Sequence, residues 1–385
     1  MTHDIQPATG AEPGTEPGTD PGADPSADLA TGSAPGTRTG PEEGAGVAVD
    51  HVRSPLRRLA GSQVIVTFVA LLAMVAAFAV AAPGTFATSS NFLQLAQNVA
   101  ILTVASVGTT FVIVTAGVDL SIPSGIILGE VFAVKALGMI HTGSGTAVDA
   151  TAEETTAVYV LAALGASLLA GLLLGLINGV AVGYLHIPPL LATLATLGAG
   201  LGVALLLQDG VNTATYALNP IATGHLLPGV PNLVLIGLVV VGLGAVLLHL
   251  SVFGRHTFAI GSNAEAARRV GIKVDRHLML VYVLAGVSSG LAGFLSVAYF
   301  STTSVGGHST DNLQAITAVA LGGTSLFGGV GTVVGSVIGV WIPAVLTNGF
   351  VILGIQPYWQ MVAIGFVLLL AVYLDQARRR SRNRR

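Results

Sequence analysis

The sequence predicts an all-α polytopic membrane protein with about ten spans, and three observations carry that expectation. Charged residues are only 9% of the chain and hydrophobic residues 52%, where a soluble domain carries about 25% charge. Apolar runs recur from residue 63 to residue 374, each near the roughly 20 residues that cross a bilayer. Many of the 50 glycines lie inside those runs, where small residues let membrane helices approach closely. The chain has no cysteine, which excludes disulfides, thiolate metal sites and cysteine nucleophiles.

Residues 1–50 stand apart. They are Pro, Gly, Thr and Ala with acidic residues and little to bury. Such a segment cannot offset its ordering entropy and is expected to be a disordered tail. It has no apolar core near its start that reads as a signal peptide. The membrane domain is expected over 51–376, with spans at 63–82, 92–116, 121–140, 156–184, 188–207, 232–250, 277–300, 312–326, 331–350 and 357–374. A basic tail follows at 377–385. The eighth span is short for a crossing, so it reads as a half-helix or a tilted element covered by protein.

Charge sets the orientation. Arg38, Arg53, Arg57 and Arg58 precede the first span, and Arg255, Arg268, Arg269, Lys273 and Arg276 lie between the sixth and seventh. The remaining arginines close the chain. With an even span count all three clusters share one side, which the positive-inside rule makes the cytoplasm. Both termini are therefore expected in the cytoplasm of a cell inner (plasma) membrane. The loops at 141–155 and 208–231 carry acidic residues and no Lys or Arg, as outer loops do. Lys135 is the one misplaced basic residue. Asn178-Gly179 and Asn348-Gly349, each followed by an Ile and a Pro, hint at an inverted internal repeat of the kind transporters use; ordinary loop-entry chemistry is the alternative.

The basic loop holds one more element. In "NAEAARRV", residues 263–270, Asn263 suits an N-cap. Glu265 falls in the first turn and Arg268 and Arg269 near the end, as the helix dipole favours. Gly271 suits the C-terminal stop. A short helix is expected there, either docking into a cytoplasmic partner or merely serving as a topogenic basic loop.

Several function classes drop out. Neither lysine follows a Gly, so no P-loop exists and the chain does not hydrolyse nucleotide itself. Mid-membrane ionisable residues, which ion-coupled carriers need, are few: Asp119, Glu130, Lys135 and Asp311. His186, His225 and His308 stand alone in the sequence without metal-ligand spacing. No catalytic residue, metal, cofactor or nucleic-acid partner is expected.

Five segments together resemble permease subunits of bacterial ABC importers of the ribose and simple-sugar class. They are the stretch from Gly254 to Ile272, "AGVDLSIPSG" at 116–125, "GLINGVAVGYLHIPPLLATLATL", "DNLQAITAVALGGTSLFGGVGTVVGSVIG" and "LTNGFVILGIQPYWQMVAIGFVLLLAVYLDQ". The resemblance covers roughly 62–376 in order and departs from the usual pattern at Glu130 and Lys135, where small or apolar residues are common. It implies a second permease subunit, identical or related, with cytoplasmic ABC ATPase subunits, an extracytoplasmic sugar-binding protein and a lipid bilayer around the spans. It also makes Asn263, Glu265, Ala266, Arg268, Arg269 and Gly271 the ATPase-coupling segment. For the substrate pathway the candidates are Asn98, Asp119, Ser121, Asn178, Asp311, Asn312, Gln314 and Thr324. Each has a structural alternative: Asp119 and Asp311 as helix caps, Asn98 and Asn178 as interhelical hydrogen bonders, and Thr324 within a glycine-rich turn. Rival functions are a branched-chain amino-acid permease, an ion-coupled carrier or passive channel working alone, and a membrane scaffold.

Because the tail offers no buried surface, deletion of residues 2–48 is expected to leave membrane insertion and cargo uptake near wild type. Quantitative immunoblotting of membranes beside an uptake assay checks this; normal insertion with lost uptake would refute it.

Overall fold

The computed structural model describes residues 63–141 and 157–383. The tail at 1–50, the first basic cluster and most of the acidic loop at 141–155 lie outside the described residues. Thirteen helices are described: α1 Gln63–Ala81, α2 Ser89–Val114, α3 Ile122–His141, α4 Ala157–Gly183, α5 Pro189–Gln208, α6 Asn219–Thr223 and α7 Asn232–Leu250. They continue with α8 Val252–Ser262, α9 Ala264–Arg269, α10 Val274–Phe300, α11 Asp311–Leu321, α12 Val333–Ile352 and α13 Pro357–Asn383. Eight of them are long and apolar enough to cross a membrane, and α13 adds a shorter apolar stretch, Tyr358–Tyr373.

The ten expected spans correspond to α1–α5, α7 and α10–α13. The eighth is 11 residues long, about half a bilayer at 1.5 Å per residue. It stops because Gly322 and Gly323 follow, the second at a φ of +90°, beyond which no α-helix continues. The tenth helix runs past residue 374 into the basic run. Two elements were not expected. One is the single turn α6. The other is α8, an 11-residue helix that begins where Ser251 accepts the Gly254 N–H at 3.1 Å. The expected helix at 263–270 is the six-residue α9, and Val270 and Gly271 form its stop, with Gly271 at a φ of +88°.

Burial sorts the helices. The apolar window of α2 is 89% buried and that of α1 only 17%, so α2 is central and α1 peripheral. With α2 at the centre stand α3 and α10. The tightest packing lies between α4 and α10. Gly171, Gly175, Gly179 and Gly183 repeat every four residues and so line one face of α4. A Cβ on Gly175 would stand 2.6 Å from the Tyr282 carbonyl, and one on Gly179 2.7 Å from that of Met279. Gly286 and Gly290 of α10 answer them from the other side, meeting the backbone at Gly171 and Gly175. The next face of α10 is equally bare: Gly129 of α3 meets the Gly290 carbonyl, and Gly293 the backbone of α3. Backbones this close gain dispersion contacts along their whole length, which is what drives helix association where no hydrophobic effect operates.

A wedge in this seam is expected to separate the helices. Gly175→Leu should lower the unfolding midpoint of the detergent-purified chain, with a cost of about 1–3 kcal/mol typical of overpacking. Gly165 lies on the same helix with nothing within 4 Å, so Gly165→Leu should be neutral; equal effects at both positions would refute the seam.

Candidate functional site

Polar side chains converge at one end of the bundle, where α2 and α11 begin and α10 and α12 end. A cavity of about 380 Å³ opens there, within the usual range for small-molecule sites. Gln94 and Asn98, one turn apart, line it from α2. From α11 come Asp311 and Gln314, and from α12 Thr347 and Asn348. The rings of Tyr299 and Phe300 close it from α10. The Thr347 hydroxyl is buried and has no hydrogen-bond partner among the described residues. At the rim two amides clasp each other: Asn91 Nδ2 donates to Asn348 Oδ1 at 3.1 Å, and Asn348 Nδ2 donates back to Asn91 Oδ1 at 2.9 Å.

One wall of the cavity is a buried charge cluster. Glu130 of α3 is fully buried. Its Oε1 lies 2.9 Å from His308 Nε2, and its Oε2 accepts the Ser304 N–H at 2.9 Å. His308 Nδ1 lies 2.7 Å from Asp311 Oδ2, and the Ser296 hydroxyl is 3.2 Å from Nε2. Burial alone pushes the His308 ring toward neutrality. The hydrogen bonds and charges of Asp311 and Glu130 outweigh it and raise its pKa to about 10.

A second polar group lies at the opposite end, where α3 begins. Asp119 Oδ1 accepts both the N–H of Ser121, at 2.8 Å, and its hydroxyl, at 2.6 Å. Asn178 of α4 donates to the Ser121 hydroxyl at 2.8 Å, and Thr196 of α5 donates to Asn178 Oδ1 at 2.7 Å. Burial pushes the Asp119 carboxyl above the ordinary carboxylate range, and the two Ser121 bonds offset only part of that.

At this same end sit α8 and α9. Asn263 Oδ1 accepts the Ala266 N–H at 2.9 Å, the expected cap. Ile260, Ala267 and Val274 bury together and hold α9 between α8 and α10. The Arg268 guanidinium forks onto the Asp275 carboxylate, and His186 Nε2 stands 3.6 Å from the same group. Arg269 faces Glu265 at 3.4 Å.

A family profile described as the permease component of the branched-chain amino acid transport system matches residues 91–372. The chain is 38% identical to the ribose import permease protein of Bacillus subtilis, over 76% of its own length and 86% of that protein. It is 33% identical to the ribose import permease protein of Escherichia coli, over 80% and 92% respectively. The galactose/methyl galactoside import permease protein of Escherichia coli is 30% identical over the same shares. The chain belongs to this permease family. No solved structure matches the permease.

The candidate residues of the permease therefore divide between its two ends. Asn98, Asp311 and Gln314 meet in the cavity. Asp119, Ser121 and Asn178 meet in the polar group at the far end. Asp119 does not cap α3 from its first turn; it receives the N–H of Ser121, just before the helix, in a local turn. Asn312 joins neither group: its Oδ1 accepts the N–H of Leu313. Thr324 is buried at the turn after α11, its hydroxyl unpartnered beside Gly331. Neither His308 nor His186 is isolated. The pairing of His308 with Glu130 spans 178 positions, a separation no local spacing reveals. Gln94, Asn348 and Glu130 were missed as site residues. A carboxylate inside an apolar span, and two amides four residues apart on one, were the available signals.

The sign of the His308 shift fixes a pH dependence. The folded ring binds its proton up to about pH 10 and the unfolded ring only to its ordinary 6.5. Its contribution is thus full below pH 6.5, falls as pH rises, and is gone above about pH 10. The unfolding midpoint of the purified permease is expected to fall across that window, and less so in His308→Gln. Identical slopes would mean the cluster holds no such proton.

Proposed function

We propose that the permease imports a monosaccharide and that the cavity at the α11 end receives the sugar on its way in. The observation that carries this reading is the chemistry of the lining: among the described residues it holds amides, a hydroxyl, one carboxylate and two aromatic rings beside His308, with no Lys or Arg. Sugar hydroxyls both donate and accept; amides meet them in both senses, and a carboxylate accepts from them. An amino-acid cargo brings a carboxylate that needs a cation. The cavity's cationic group, the His308 ring, is already matched by Glu130 and Asp311. The lining thus favours the uncharged cargo over the zwitterion. The names of the ribose and galactose permeases point the same way.

Import also needs energy from another chain. In this reading ATPase subunits bind at the α9 end, which faces the cytoplasm with its five basic residues. A binding protein delivers sugar at the cavity end, and a second permease subunit completes the pathway. Ala264 and Ala266 are exposed on α9 while Ala267 is buried, so the first two form the face free to enter a partner's groove. Arg268 and Glu265 already have partners within the chain, so they brace α9 for docking.

Uptake of radiolabelled ribose, galactose and fructose by cells carrying or lacking the gene tests the cargo. Uptake of none of the three, with leucine taken up instead, would establish the amino-acid alternative. For the coupling role, Ala266→Trp is expected to insert normally and to lose co-purifying ATPase, or to keep it while ATP-driven uptake in vesicles falls at least about tenfold. Wild-type recovery and uptake in that variant would reduce α9 to a topogenic loop.

A further inference from the structure

Glu130 is a fully buried carboxylate in the middle of a mostly apolar helix, and it does not line the cavity. Stability alone is a poor reason for it, since a buried ion pair rarely outperforms well-packed apolar side chains. What it touches is more informative. Each of its two oxygens holds one point on the segment joining α10 to α11: the Ser304 N–H and the His308 ring. The other nitrogen of His308 then holds Oδ2 of Asp311, the first residue of α11 and a cavity residue. The link runs α3 to loop to α11, and its last member is the one carboxylate that reaches the cavity.

We infer that Glu130 is a positioning residue for cargo passage: acting through His308, it fixes the Asp311 carboxylate on the cavity wall, where Asp311 accepts hydrogen bonds from the hydroxyl groups of an uncharged sugar. The inference rests on the monosaccharide reading for the identity of the cargo. Three features support it. Asp311 Oδ2 is committed to His308, so the group cannot rotate freely and its Oδ1 is held in one place. The His308 ring is braced on both nitrogens and by Ser296, so it transmits the position of α3. One imidazole stands between two carboxyl groups, so oxygen acceptors outnumber it at the wall, which disfavours phosphorylated or acidic sugars in the same cavity.

A double-mutant cycle separates positioning from mere bracing. The variants are Glu130→Gln, Asp311→Asn and the two together, in the full-length chain expressed in cells whose own copy is deleted. The readout is the rate of radiolabelled ribose, galactose or fructose uptake per folded permease in the membrane. Glu130→Gln is expected to lower the rate about fivefold and Asp311→Asn about tenfold, with the double variant no worse than Asp311→Asn, because residues acting as one unit are not additive. Independent effects multiply, and a double variant near fiftyfold would overturn the inference. If Glu130→Gln does not fold, Glu130→Asp repeats the cycle; it keeps the charge and withdraws it from His308. If the wild type takes up none of the three sugars, the monosaccharide reading falls by itself. The cycle is then read on unfolding midpoints of the purified chain, where coupled shifts uphold the link from Glu130 to Asp311 and additive shifts overturn it.

Discussion

The close approach of α4 and α10 is the constraint on which the rest of the structure depends. Four glycines at a spacing of four bring the two backbones together over more than three turns, from Gly171 to Gly183. Because α10 also lies bare against α3 through Gly129 and Gly293, the three helices form one block with little side-chain padding. That block holds α10, a helix of 27 residues, about 40 Å long at the helical rise. Its first turn carries Asp275, which grips Arg268 of α9. The last turns carry Ser296, Tyr299 and Phe300, which face His308 and the cavity. One rigid element thus touches both sites.

Both ends of the bundle carry side-chain links between helices, and the α9 end adds close backbone contacts. At the cavity end the links are side-chain hydrogen bonds across helices: Asn91 with Asn348, and Glu130 with His308 and Asp311. Such links specify one geometry at modest net energy, because each buried polar group lost from water recovers little more than it gave up. At the α9 end, beside the Ser121–Asn178–Thr196 bonds and the Arg268–Asp275 fork, backbone also meets backbone. A Cβ on Gly261 would fall onto the Val114 carbonyl and stand 2.7 Å from the Gly329 nitrogen. Gly329 itself donates to the Val114 carbonyl at 2.9 Å. Polar links can break and reform as a cargo arrives, while glycine contacts tolerate no such exchange.

The fold was legible in the sequence because apolar length is a direct physical requirement of the bilayer. All ten expected spans correspond to helices, and the short eighth one is short in the structure. The helix α9 was legible for the same kind of reason, since Asn263, Glu265, Arg268 and Gly271 each meet a local backbone need. What escaped was non-local. The helix α8 has no strong start signal beyond Ser251, and its Thr257 and Ile260 are buried against residues beyond its own turns, His277 and Ala267 with Val274. His308 was read as solitary because its partner on α3 lies 178 positions away. Asp311 and Gln314 were found from their place at a helix start; Asn312, beside them, was not separable until the turn of α11 set which residues face inward.

These contacts together give a route between the ends that needs no flexible intermediary. Displacing α9 loads α10 through Asp275 and the buried Ile260, Ala267 and Val274. It also loads Gly261, at the end of α8, and hence Val114 and Gly329. Val114 is the last residue of α2, whose first turns hold Gln94 and Asn98, and Gly329 lies in the turn that follows α11, whose first turn holds Asp311. Two helices, α2 and α10, therefore run from the α9 end to the cavity, and the half-length α11 with the turn after it makes a third path; each ends on residues that line the cavity. Packed interiors transmit displacement because they compress little. A movement imposed at α9 must then change the spacing of the cavity walls, unless the polar links at that end give way first. Those links join α2 to α12, which both line the cavity, and α3 to α11, of which α11 alone lines it.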